Sequence, residues 1–262
     1  MKKLISALCL LGLIAVSPIL GDHARDIYLE EIVTKKAMPV KLNNRIVASS
    51  FQLEWQGKRV TVTNNHVCSI RKRVRTKKIQ SQIALLSAKG ILDTSAGKDT
   101  KKIELEVKRL RKLLAKTVSE GVIGEVLKIG DINRKILYNS PNHDICFLEP
   151  VGGGSFKLAR SVHRGERVNI IGHPRGADQS ISDGRIVGKG SNAFPWLPKA
   201  GKITVLRTTA ISYPGNSGSP VVNRYGNVVG ILFAGTSLNY INVNLVVPLE
   251  YIESELMAYF GN

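Results

Sequence analysis

The spacing of short apolar runs constrains this chain more than any other feature. Arg45–Trp55 alternates in part, Gln56-Gly57-Lys58 offers a turn, and Arg59–Thr63 alternates cleanly, which reads as a hairpin. Val122–Ile129, Lys135–Tyr138 and Asp144–Leu148 follow in the same style. After Gly152-Gly153-Gly154, which reads as a hinge between halves, the pattern resumes at Arg167–Gly172, Gly184–Gly188, Thr204–Thr208, Pro220–Val222, Val228–Phe233 and Tyr240–Val247. Runs this short, rich in Val and Ile and cut by Gly, Asn and Pro, suit strands of barrels or a sandwich. The 262 residues suit one domain of two sub-lobes.

Three segments depart from that style. Lys2 and Lys3 precede the apolar stretch Leu4–Leu20, with Pro18 and the small residue Gly21 before the polar Asp22. That pattern predicts a cleaved export signal over residues 1–21, with an uncleaved anchor as the alternative. Between Arg71 and Lys116 stand 15 Lys or Arg against only four acids, Asp93, Asp99, Glu104 and Glu106. There Ile103, Val107, Leu110 and Leu114 recur at helical intervals, as do Ile79, Ile83 and Leu86. The expectation is a basic helical hairpin inserted in a β scaffold, with a loop at Asp93–Lys98, a cap at Asp99 or Thr100 and an end at Gly121. Leu249–Phe260 reads as a closing helix.

Chemistry concentrates in three stretches. Thr63-Asn64-Asn65-His66 ends a strand, His143-Asp144 opens one, and Gly215-Asn216-Ser217-Gly218 precedes one. A serine hydroxyl is a poor nucleophile until a base takes its proton, and that base needs an acceptor on its other nitrogen to fix its tautomer. A tight turn through Gly215 and Ser217 can aim two backbone N–H groups at a developing oxyanion. Each stretch alone is commonplace; three in this order and context are not. His143 and His173 read as loop residues, and His23 and His163 as solvated. No Gly-rich phosphate loop, His-Glu-x-x-His helix or Cys-x-x-Cys pair occurs, so neither metal nor nucleotide cofactor is implied.

At these residues the sequence resembles the trypsin-like peptidase superfamily, in particular the bacterial HtrA/Deg and glutamyl-endopeptidase branches. Ala48-Ser49-Ser50-Phe51, Ile171-Gly172-His173-Pro174-Arg175-Gly176, Gly226–Ile231 and Val246-Val247-Pro248 extend the likeness over most of residues 46–250. The resemblance implies an all-β fold of two perpendicular β-barrels, about 40–150 and 156–248, with the site in the cleft between them. It implies a serine endopeptidase with His66, Asp144 and Ser217 as triad and the N–H groups of Gly215 and Ser217 as oxyanion hole. By counting from Ser217, Ile211 falls at the floor of the substrate pocket, with Phe233 and Asn244 lining it, and no acid lies between Ile211 and Ser219. That predicts apolar side chains at the P1 position. Asn216 replaces the aspartate that pairs with a new N-terminus in digestive enzymes, and Leu232 stands where the glutamyl branch carries a histidine. The chain ends about a dozen residues after the last strand, so no PDZ domain is expected.

Cys68 and Cys146 remain once the leader, with Cys9, is removed. An even pair in an exported chain fits one disulfide or two unrelated thiols. Each lies two residues beyond a triad member, and a triad brings His66 and Asp144 together, so a disulfide is expected. The competing function is a catalytically inactive protease-fold protein that holds an anionic partner on the basic hairpin. Basic runs bind anions without sequence preference, yet Arg71–Lys116 contains no aromatic on which bases could stack, which argues against nucleic acid. Protein or peptide substrates, with an anionic surface or acidic substrate met by Arg71–Lys116, are the expected partners.

Overall fold

The computed structural model describes residues 33–140, 142–193, 202–238 and 241–261. The expected leader, residues 1–21, lies outside them. Twelve strands form two closed antiparallel barrels. The first joins β1 (Ala37–Leu42), β2 (Arg45–Trp55), β3 (Lys58–Thr63), β4 (Val126–Ile129), β5 (Ile132–Ser140) and β6 (Ile145–Leu148) in the order β1-β2-β3-β6-β5-β4. The second joins β7 (Arg167–Gly172), β8 (Ser180–Ala193), β9 (Lys202–Thr208), β10 (Pro220–Asn223), β11 (Val228–Leu238) and β12 (Ile241–Pro248) in the order β7-β8-β9-β12-β11-β10. The same wiring occurs twice, and closure leaves neither sheet an open edge.

Local chemistry sets the turns. Gln56 and Gly57 both have positive φ, 50° and 77°, as a two-residue hairpin turn requires, and β2 pairs with β3 on either side of it. Asn43 and Asn44, at 49° and 62°, make the equivalent turn between β1 and β2. The sequence reading missed β1, whose Pro39 breaks the strand signal. It also placed the start of β4 four residues early and made β8 too short: β8 runs 14 residues, pairing with β7 at one end and β9 at the other.

The short helix α1 (Asn65–Cys68) leads into α2 (Ile70–Ser95) and α3 (Lys101–Ser119), the basic hairpin. Its loop is Ala96–Thr100, starting three residues and ending two residues later than expected. Asp99 Oδ1 accepts the N–H of Lys101, whereas the Thr100 hydroxyl bonds Glu104. The helix ends at Ser119 through an extended Glu120, before Gly121. Its stripes pack on each other, with Ile79 and Leu110 buried, while Leu85, Ile91, Leu92 and Leu105 remain about 70% exposed. No helix among the described residues is long and apolar enough to cross a membrane.

One apolar cluster fills the first barrel around Val40, Leu127, Ile129 and Leu148, and another the second around Ile170, Leu206, Val221 and Val246. A third runs through both, joining Phe51 and Phe147 to Phe156, Val205 and Ile231. The expected Gly152–Gly154 hinge is part of a strap. Phe156 exchanges backbone hydrogen bonds with Gln52 and Glu54, and Ala159 and Val228 continue the pairing on the second barrel. The last helix, α4 (Leu249–Phe260), crosses back to the first barrel, where Phe260 stacks on Trp55 and Tyr259 packs on Phe147.

Candidate active site

The site forms where strand ends from both barrels meet. β3 delivers Asn64, and the chain turns into α1, which carries His66. β6 begins at Ile145, and the residue before it, Asp144, is held at φ 57°. Asp144 is fully buried, and both its oxygens are committed to His66: Oδ1 accepts the backbone N–H at 2.8 Å and Oδ2 meets Nδ1 at 2.8 Å. The Asp144 carbonyl accepts from the Asn65 N–H and the Asn64 side chain, so the two segments are stitched at four points. An acceptor on Nδ1 leaves Nε2 as the basic nitrogen.

Ser217 comes from the second barrel, on the turn before β10. Ser49 of β2 docks that turn on the first barrel. Its N–H donates to the Ser217 carbonyl at 2.8 Å, its hydroxyl donates to the Gly215 carbonyl at 3.0 Å, and the same oxygen accepts the His173 N–H. The Ser217 hydroxyl donates a long bond, 3.4 Å, to the Phe233 carbonyl. Within the turn, Asn216 N–H bonds Tyr213, Gly218 N–H bonds Leu232 and Ser219 N–H bonds Asn216. The N–H groups of Gly215 and Ser217 find no acceptor among the described residues. The Pro214 carbonyl accepts from Arg175 N–H at 2.6 Å, and a trans peptide then turns the Gly215 N–H the opposite way, off the 173–176 turn. Two donors left over on one turn are what an anionic oxygen requires.

Next to Ser217 opens a cavity of about 460 Å³ lined by Ile211, Phe233, Gly235 and Asn244. Ile211 is not its floor: the residue is 51% exposed and stands at the mouth. Phe233 and Asn244 are both buried, and the Asn244 side chain accepts from the Ser212 hydroxyl at 2.5 Å and donates to the Ala210 carbonyl. Among the described residues, no charged side chain lines this cavity.

Cys68 and Cys146 are joined as a disulfide just behind His66 and Asp144. Two histidines do more than the sequence reading assigned. His143 Nδ1 meets Glu255 Oε1 at 2.5 Å and its ring stacks on Tyr251, so α4 grips the residue beside Asp144. Ser140 also donates to Glu255, as does Tyr138. Burial raises the Glu255 carboxyl, but these hydrogen bonds outweigh it and hold the group below its ordinary range. Tyr138 is pushed up to about 12, by burial first and then by Glu255. His173 is buried under the serine turn, and burial lowers its pKa. The separation of 112 residues between His143 and Glu255 left no local signal for the cluster.

Paired six-stranded barrels with such a cleft define the chymotrypsin-like fold class. The family model for the trypsin-like peptidase domain matches residues 48–231, and the chain belongs to that family. A probable periplasmic serine endoprotease, DegP-like, from Ectopseudomonas mendocina is 31% identical over 127 residues, covering 46% of this chain and 26% of that protein. Serine endoprotease DegS of Haemophilus influenzae is 35% identical over 96 residues, covering 35% and 28%. The chain thus spans about a quarter of the length of these curated relatives. The Rv3671c protease from M. tuberculosis in its active form superposes with a TM-score of 0.56 at 15% identity, over 93% of this chain and 87% of that one. The MamO protease domain from Magnetospirillum magneticum gives 0.55 at 19% identity, over 87% and 99%. At such identities the likeness is one of fold.

Proposed function

We propose that this chain is an exported serine endopeptidase that cleaves through an acyl-enzyme intermediate. The observation that carries the reading is the double engagement of Asp144 with His66, beside a serine turn with two unused N–H donors. In this mechanism His66 Nε2 takes the Ser217 proton as Oγ attacks the scissile carbonyl, and Asp144 stabilises the imidazolium. The N–H groups of Gly215 and Ser217 receive the tetrahedral oxyanion. His66 then returns the proton to the leaving amine, and water repeats the sequence to release the acid. The uncharged cavity beside Ser217 favours an uncharged P1 side chain, because a desolvated Arg or Lys would find no carboxylate there. Export follows from the leader pattern of residues 1–21 and agrees with the word periplasmic in the name of the DegP-like relative.

The experiment is fluorophosphonate labelling and peptide turnover with the wild type and Ser217→Ala. The wild type should label and cleave, and the variant should lose labelling and drop in kcat by about 10⁶-fold with its fold intact. His66→Ala should be about as severe, and the double variant no worse than either single one. An unlabelled wild type that still binds anionic proteins would favour an inactive binding protein instead.

A further inference from the structure

The start of α2 lines a second cavity beside His66. It encloses about 320 Å³ and is walled by His66, Lys72, Arg73, Thr76, Lys77 and Gln80, among others. Three of these walls are cationic and none is acidic. Arg73 is fixed at the rim, donating from Nη2 to the His66 carbonyl at 2.7 Å. The Lys72 ammonium bonds the carbonyls of Val118 and Glu120 at the end of α3, which fixes its position and leaves its charge unneutralised. Lys77 is exposed one turn further along. The nearby carboxylates are already engaged: Asp144 is buried behind His66, and Glu120 lies 3.5 Å from Arg75. Thr76 and Gln80 add neutral hydrogen-bonding groups between the cations.

A concave site with three cations, two of them fixed by hydrogen bonds, and no acidic wall among the described residues is complementary to an anion. A general base must lie within hydrogen-bond reach of the reacting atoms, so a cavity that shares His66 as a wall sits over the substrate residues next to the scissile bond. We infer that this cavity is a subsite for an acidic side chain, Asp or Glu, placed within two residues of the cleaved bond. The inference rests on the peptidase reading above and gives the inserted hairpin a part in substrate choice. Its base is bonded to His66 through Arg73, while Leu85, Ile91 and Leu92 towards its far end stand exposed.

The test uses fluorescent peptides that differ only by Glu or Gln at P2, P1′ or P2′. Binding is read on Ser217→Ala and turnover on the wild type. At one of these positions the Glu peptide should bind about fivefold more tightly than its Gln twin, the size expected of one or two exposed ion pairs. Adding the exposed substitution Lys77→Glu to Ser217→Ala should erase that preference at an unchanged melting temperature. Equal binding of Glu and Gln peptides at all three positions overturns the subsite, as does a Glu preference untouched by Lys77→Glu or no binding of either peptide. Selective binding without any turnover by the wild type would leave the subsite standing and sink the peptidase reading instead.

Discussion

Gly218 shows how little room the serine turn leaves. Its φ is 86°, and a Cβ there would lie 2.1 Å from the Ser49 carbonyl oxygen and 2.2 Å from the Thr63 hydroxyl. Backbone on a barrel strand cannot step aside as a flexible side chain could. Gly218→Ala should therefore combine a left-handed-region penalty with overpacking, and lose about 3 kcal/mol of stability. Urea unfolding would read that loss. Because the displaced neighbour is Ser49, which bonds both Ser217 and Gly215, peptide turnover should fall as well. A Gly218→Ala protein of wild-type stability would show that the turn has room for a methyl group and refute this account.

Among the elements, α4 does the most per residue. It leaves the second barrel and reaches the first with one buried carboxylate, Glu255, which takes hydrogen bonds from Tyr138, Ser140 and His143. Its folded pKa lies below the ordinary value of 4.5, so the unfolded chain binds the proton more readily. The stability this group adds is present above about pH 4.5 and is lost as pH falls through the depressed folded value. Glu255→Gln should cost roughly 2–3 kcal/mol at pH 7, the scale of hydrogen bonds to a charged group. The gap between variant and wild type should close as the pH drops below 4.5. Thermal melts across pH 3–7 would check both the size and the sign, and a gap that widens in acid would refute the assignment.

For the molecule as a whole, the Cys68–Cys146 disulfide is a covalent cross-link across 78 residues that include the entire hairpin. Loop-closure entropy on that length corresponds to about 4 kcal/mol. Replacing both cysteines with alanine should remove an amount of that order, seen as a lower denaturant midpoint. Both side chains are fully buried in the first-barrel cluster, so the loss also contains a small packing contribution. The far end of the hairpin, with its exposed leucines, takes no part in the barrel core, and its helices hold each other rather than the β body.

Sequence alone determined whatever repeats or concentrates locally. Alternation over Arg59–Thr63 marked β3, helical stripes marked α2 and α3, and the Asn65-His66, His143-Asp144 and Asn216-Ser217-Gly218 stretches marked the residues on which the proposed chemistry rests. Tertiary structure alone decided what distant segments do to one another. Closure of the barrels made β1 a strand despite Pro39, because its backbone groups had to pair with β2 and β4. It buried Phe233 and Asn244 in the pocket and left Ile211 half exposed, since β11 and β12 are paired barrel strands while Ile211 lies in a loop. It brought Glu255 to His143 and Ser49 to the serine turn. Periodicity and motifs record which face or turn a residue occupies. They carry no distance across more than 100 residues of chain, and the charge and burial that tune this site arise at such distances.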